Sequence, residues 1–189
     1  MAVVINGNGA VTGLTALPDS AMASGSVIQV VETKITAKSS VNMTTTYTDV
    51  AGFSVTITPS SASNKIKLTA MINQSSIENH GGGRFVRSVG GTDTIPTGWI
   101  GDASGNRTQS TTGNLFAIVF QDHNGSDVNF AIPVTLIDDS HSTTSAITYK
   151  FQVSCISGTF PIRFNTADDD DIAATHVAVS SLIAEEIVA

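Results

Sequence analysis

The sequence predicts an all-β protein: an antiparallel two-sheet β-sandwich, jelly-roll-like, with an extended N-terminal arm. Three observations predict it. Apolar and polar residues alternate over short runs, most clearly Ile147, Tyr149, Phe151, Val153 and Cys155 against Thr148, Lys150, Gln152 and Ser154. That is the period of a strand with one buried face. Clusters of Gly, Pro, Asn and Ser separate the runs, which is turn chemistry. No segment sustains a helical period with caps. Strands with one apolar face each, and no helices to cover them, pack as two sheets.

Residues 1–26 stand apart as an arm. They carry Gly7, Gly9, Gly13, Gly25 and Pro18, and Asp19 is their one charged side chain. Val3, Val4, Ile5, Val11, Leu14 and Leu17 are scattered through them with neither strand nor helix period. Such a segment cannot build its own core, yet it is too apolar for a solvated tail. An arm lying on another protein, with those six side chains as its partner-binding residues, explains both features; a floppy leader is the alternative.

Residues 27–189 read as the sandwich domain. Val27–Ile35 is the first strand. Strands at 47–50 and 53–58 follow, stopped by Pro59-Ser60-Ser61. The run 65–72 puts Ile66, Leu68, Ala70 and Ile72 on one face. Further strands are expected at 84–89, 115–120 and 128–136. In the last of these Pro133 removes a ladder donor, which makes it an edge strand or a bulged one. Ile147–Cys155 is the clearest strand, 161–165 is short, and 176–188 closes the domain. Two long polar or Gly-rich segments, 73–83 and 90–114, read as loops of the kind that carry function.

Composition excludes several functions. The chain has 189 residues and a formal net charge of −7. It has no basic stripe, so nucleic acid is an unsuitable partner. Charged residues are 13 % of the total, about half the usual share of about 25 %. No run approaches the roughly eighteen apolar residues of a membrane span, so no membrane insertion is expected. The N-terminus lacks the basic and apolar regions of a secretion signal, which places folding in a cytoplasm. Cys155, the one cysteine, lies in an apolar row and reads as a buried structural thiol.

Catalytic and metal sites are not expected. His80, His123, His141 and His176 have no metal-ligand spacing. The acidic run 168–171 could hold calcium through its oxygens, but it lacks the spacing and glycine of an EF-hand loop and reads as a solvated loop. His80-Gly81-Gly82-Gly83 matches an esterase oxyanion loop by letters alone, without a Gly-x-Ser-x-Gly elbow; its glycines read as a mobile tip or as positive-φ turns. No cofactor motif is present. One binding constellation survives. Trp99, with Asp102, Asn106, Arg107 and Gln109 close by, has the aromatic face and polar groups of a sugar platform. The plainer reading of Trp99 is a ring that pins its own loop to the sandwich or to a neighbouring subunit.

Several strings occur in order along 24–188: Gly25-Ser26-Val27-Ile28-Gln29-Val30-Val31, Tyr47-Thr48-Asp49-Val50-Ala51-Gly52-Phe53, Asn64-Lys65-Ile66, Gly101-Asp102-Ala103-Ser104-Gly105-Asn106-Arg107, Thr143-Thr144-Ser145-Ala146-Ile147 and Glu185-Glu186-Ile187. Together they resemble the β-domain of structural and fibre proteins of tailed bacteriophages, of the marine phage and cyanophage type. Val11-Thr12-Gly13-Leu14-Thr15-Ala16-Leu17 resembles the leader that precedes it. The resemblance implies a virion-surface component, often a homotrimer, whose partner is a major capsid protein or tail protein. The leader runs almost directly into the domain with no shaft between them. That favours a capsid decoration (cement) protein or short head fibre over the alternative, a tail-fibre receptor-binding head that contacts a host surface glycan.

Overall fold

The computed structural model describes residues 21–76, 81–112, 130–166 and 177–189, together with the backbone of Val4–Ile5 and Val11–Thr12. Twelve strands are assigned among them: β1 (Val4–Ile5), β2 (Val11–Thr12), β3 (Val27–Ile35), β4 (Ser39–Met43), β5 (Thr48–Ile57), β6 (Lys65–Ser76), β7 (Gly81–Val89), β8 (Thr92–Thr94), β9 (Phe130–Asp138), β10 (Ile147–Cys155), β11 (Phe160–Phe164) and β12 (Ser180–Ile187). Every pairing between these strands is antiparallel. The expected strand at 115–120 and the acidic run 168–171 lie outside the described residues.

Two sheets face each other. One runs β5-β10-β7-β8, and the other runs β3-β12-β6-β11-β4 with β9 on β6. On one edge of β6, β12 pairs with Lys65–Met71 and β11 takes over from Gln74. The other edge belongs to β9. Read across, β3-β12-β6-β9 stands opposite β5-β10-β7, the interleaving of a jelly roll, and β4 and β11 extend the larger sheet. The handover on β6 is fastened by Asn165, which is fully buried with φ of 61°. Its Nδ2 donates to the carbonyls of Ile35 (2.8 Å) and Ala37 (3.0 Å), and its Oδ1 accepts from Ser180 Oγ at 2.7 Å. An Asn tolerates this left-handed backbone better than a branched residue would.

The core lies between the sheets. Ile66, Leu68, Ala70, Ile72, Leu182, Ala184, Ile162 and Phe164 come from the larger sheet, and Val50, Phe53, Val55, Ile57, Phe85 and the inner row of β10 from the smaller. Four phenylalanines interlock at its centre. Phe53 meets Phe164 at 4.7 Å, Phe85 meets Phe151 at 5.0 Å, and Phe151 meets Phe164 edge-on at 6.3 Å. Burying each such ring contributes about 1.5–3 kcal/mol.

Several expectations are corrected in detail. The two strands at 47–50 and 53–58 are one strand, β5. Between its Ser54↔Lys150 and Asp49↔Gln152 pairs, β5 advances by more residues than β10 does, which makes a bulge. Gly52 sits there at φ of 80°, and the bulge lets both Val50 and Phe53 point inward. The 73–83 loop is largely strand: β6 continues to Ser76 and β7 begins at Gly81. Gly82 and Gly83 therefore serve close approach rather than a turn. A Cβ on Gly83 would stand 2.5 Å from Phe151 Cζ. β4 and β8 were not expected at all. In the arm, β1 and β2 pair as a two-residue ladder, which the scattered hydrophobes did not suggest. The arm joins the sandwich where Gly25 N donates to Val188 O (2.8 Å) and Val188 N donates to Ser26 O (2.9 Å). Among the described residues β9 has β6 as its one partner, so within them Pro133 lies on an edge strand.

Candidate functional site

The Gly-rich segment after β8 is fixed at both ends. Trp99 begins it. A turn closed by Trp99 N to Pro96 O (3.1 Å) swings the indole inward. There it is 3 % exposed, packs on Tyr149 at 5.6 Å and donates Nε1–H to Ile137 O at 3.0 Å. The ring has no open face for a sugar. The far end is fixed by Thr111 N (2.9 Å) and Thr112 N (3.0 Å), which donate to Gly83 O. Phe85 N donates to Thr111 Oγ1 at 3.1 Å. Between these anchors Gly101 N donates to Ser110 O (3.2 Å), and Gln109 Nε2 donates to Gly101 O (2.7 Å). The result is a closed loop with a rigid base and an exposed tip, residues 101–108.

The outer row of β10 is partly closed off beside that loop. Gln152 and Ser154, expected to face solvent, are buried. Between the loop and the turn after β10 lies an open cleft of ≈ 700 Å³. Among the described residues Asn106, Arg107, Thr108 and Ser110 line it from the loop, Tyr47 and Gly82 from the sandwich, and Ser154, Cys155 and Ile156 from the turn side. Tyr47 is held from two directions: its hydroxyl donates to Gln109 O at 2.8 Å, and the Arg84 guanidinium lies 3.9 Å over its ring, a cation–π geometry. Arg84 is itself aimed by its Nε–H to Gln152 Oε1 bond (2.8 Å). The row continues through Gln152 Nε2 to Asp49 (2.6 Å), and Lys150 Nζ then bridges Asp49 (2.9 Å) and Asp93 (2.7 Å). The hydrogen bonds that it donates to Asp93 and Asp49 hold the Lys150 ammonium above the ordinary lysine range.

Of the five residues expected to act together, Asn106 and Arg107 line the cleft and Gln109 supports it. Asp102 stands on the exposed tip, and Trp99 is in the core. The aromatic ring at the cleft is Tyr47, whose position ahead of a strand marks no function in the sequence. Of the arm residues, Val3, Leu14 and Leu17 lie outside the described residues, and Val4, Ile5 and Val11 sit in the β1–β2 ladder. His80, His123 and His176 also lie outside. His141 is buried, with Nε2 2.7 Å from Asn64 O and Nδ1 3.0 Å from Thr143 O, so it joins two turns. Cys155 is a buried free thiol, 3.6 Å from Gly158 O. Among the described residues no three His, Cys, Asp or Glu side chains gather into a metal-binding group, and no helix is long and apolar enough to cross a membrane.

A buried ionic group sits under Trp99. Asp138, with no exposed surface, receives Arg87 Nη1 at 2.8 and 3.0 Å, Tyr149 Oη at 2.8 Å and Ser140 N at 3.1 Å. Burial first, then the charge of Asp138 and the bond to it, pushes the Tyr149 phenol far above the usual tyrosine range. None of these residues lines the cleft.

No protein-family model matches the chain, and no curated protein matches it. Among solved structures it is similar to the VP2 subviral particle protein of infectious bursal disease virus, at 12 % identity and a TM-score of 0.39 over 87 % of this chain. It is similar to the Gx-strain structure of that virus at 12 % identity and a TM-score of 0.40 over 88 % of this chain. The Gt-strain structure shares 14 % identity at a TM-score of 0.40 over 95 % of this chain. The chain spans 38 % of the first two of those chains and 44 % of the third.

Proposed function

We propose that this chain is a non-enzymatic structural protein of a bacteriophage virion: a surface-exposed capsid decoration or short head-fibre subunit, homotrimeric, docked by residues 1–26. The observation that carries the proposal is the outer face of the larger sheet. Val30, Glu185, Lys67 and Ile137 make one cross-strand row, and Lys34, Ser181, Met71 and Pro133 another. Val30, Met71 and Ile137 are 60 %, 41 % and 45 % exposed. Lys67 and Glu185 neutralise each other at 2.7 Å. A broad face of this kind suits permanent contact with copies or with a shell better than free solution. The ordered strings that resemble phage β-domains point the same way.

The test follows the full chain and a version lacking residues 2–20 through native mass measurement and assembly. The full chain is expected as a trimer that joins particles, and the shortened chain as a folded domain that does not. Normal incorporation of the shortened chain would refute the docking role, and a monomer both free and on particles would refute the trimer. The tail-fibre head remains the second reading. It is favoured by the exposed 101–108 tip on its pinned base, an arrangement suited to recognition.

A further inference from the structure

We propose that the cleft between the 101–110 loop and the turn at residues 156–158 is a binding site for an acidic saccharide, one that carries a carboxylate beside its hydroxyls. The proposal does not rest on the chain's being a virion protein, and it relocates recognition from Trp99 to Tyr47 and Arg107.

The size fits first: ≈ 700 Å³ lies in the range of about 300–1,000 Å³ that small ligands occupy. The lining chemistry selects the class. Thr108, Ser110 and Ser154 offer hydroxyls, and Asn106 offers an amide, groups that can both give and take hydrogen bonds with sugar hydroxyls. Tyr47 and Ile156 supply apolar surface for the C–H face of a sugar ring. Ile156 is 64 % exposed at the cleft mouth, where an unoccupied isoleucine gains nothing from water.

Charge decides between neutral and acidic sugars. The chain carries a net charge of −7, yet no Asp or Glu is among the described lining residues, and Arg107 is. A guanidinium can grip a carboxylate through two parallel N–H bonds. Arg84, stacked behind Tyr47, fixes the ring that faces the ligand. The backbone is built for this shape. Gly82 lets the loop sit close, since a Cβ there would stand 3.3 Å from Ser110 Cβ. The hydrogen bonds at Gly101, Gln109 and Gly83 hold the loop before any ligand arrives, which lowers the ordering cost of binding.

The experiment titrates the full chain with oligosaccharides ending in glucuronic, galacturonic or sialic acid, each beside a counterpart with the carboxylate reduced to an alcohol, and with an acidic peptide. Binding is followed by calorimetry and ligand-observed NMR. At least one acidic saccharide is expected to bind, with its reduced counterpart and the peptide at least tenfold weaker. Arg107→Gln should lose tenfold or more, Arg107→Lys less, and Ile156→Ser severalfold. Both positions are exposed, so the thermal midpoints should stay at the wild-type value. Three results would overturn the proposal: no acidic saccharide binding at millimolar concentration, equal binding of the reduced sugar or the peptide, or wild-type affinity in Arg107→Gln.

Discussion

Replacing Tyr149 by Phe tests the buried group beneath Trp99, and it does so through pH. The substitution keeps the ring against Trp99 and removes the one hydroxyl that donates to Asp138 Oδ2 at 2.8 Å. A hydrogen bond to a charged group is worth about 1.5–3 kcal/mol, so the variant should be about 2 kcal/mol less stable at pH 8. In the folded protein, burial and the Asp138 carboxylate hold the phenol neutral far above its ordinary range. In the unfolded chain it ionises near pH 10. A raised folded value contributes stability that is complete below the unfolded value and is lost as pH rises above it. At pH 11 the unfolded wild type gains about 1.4 kcal/mol by ionising Tyr149, a gain the Phe variant lacks. The difference between the two proteins should therefore shrink from about 2 kcal/mol at pH 8 to below about 1 kcal/mol at pH 11. Urea midpoints at each pH measure it, and every contribution common to the two proteins cancels in the difference. A gap that stays constant from pH 8 to pH 11 would refute the assigned environment. A variant as stable as wild type at pH 8 would refute the energetic role of the bond.

Two substitutions test the walls of the loop. Trp99→Ala should cost about 3–5 kcal/mol by emptying a buried aromatic site, read as a fall in the urea midpoint; a loss below about 1 kcal/mol would mean that the indole does not fill the core. Gly83→Ala puts a Cβ 2.5 Å from Phe151 Cζ and 3.0 Å from Thr112 Oγ1, and overpacking of this kind costs about 1–3 kcal/mol; an unchanged thermal midpoint would contradict the close approach of loop and strand.

The fold was legible wherever one face of a strand is apolar. β10 has the bounds that its alternation predicts, and Ile66, Leu68, Ala70 and Ile72 all point into the core. It was not legible where polar side chains do the inward work. β4 reads Ser-Ser-Val-Asn-Met and is recruited by its backbone ladder to β11, which leaves no mark on hydropathy. Glu186 continues the inward row of Leu182 and Ala184 yet is a carboxylate, 1 % exposed. Its Oε1 accepts from Ser60 N (2.8 Å), Ser60 Oγ (2.7 Å) and Asn64 Nδ2 (2.8 Å). The donors come from a turn more than a hundred residues away, which no local period can reveal.

The site was half legible for a related reason. A Gly-rich loop with Trp, Arg and two amides marks a place where chemistry is concentrated, and the cleft is indeed formed by that loop. Composition does not say which side chain turns inward. The turn from Pro96 to Trp99 sends the largest ring toward Tyr149, because burying an indole and satisfying its N–H on Ile137 O outweighs leaving it in water. With Trp99 committed to the core, the aromatic at the cleft has to come from another part of the chain. Tyr47 takes the place because β5 begins on one edge of β10 while β7 lies on the other, so that Arg84 of β7 can cover its ring and the Gln109 carbonyl can accept its hydroxyl. Tyr47 and Gln109 are 62 positions apart. No reading confined to neighbours in sequence can pair Tyr47 with Arg107; the folded sheet is what brings them to the same opening.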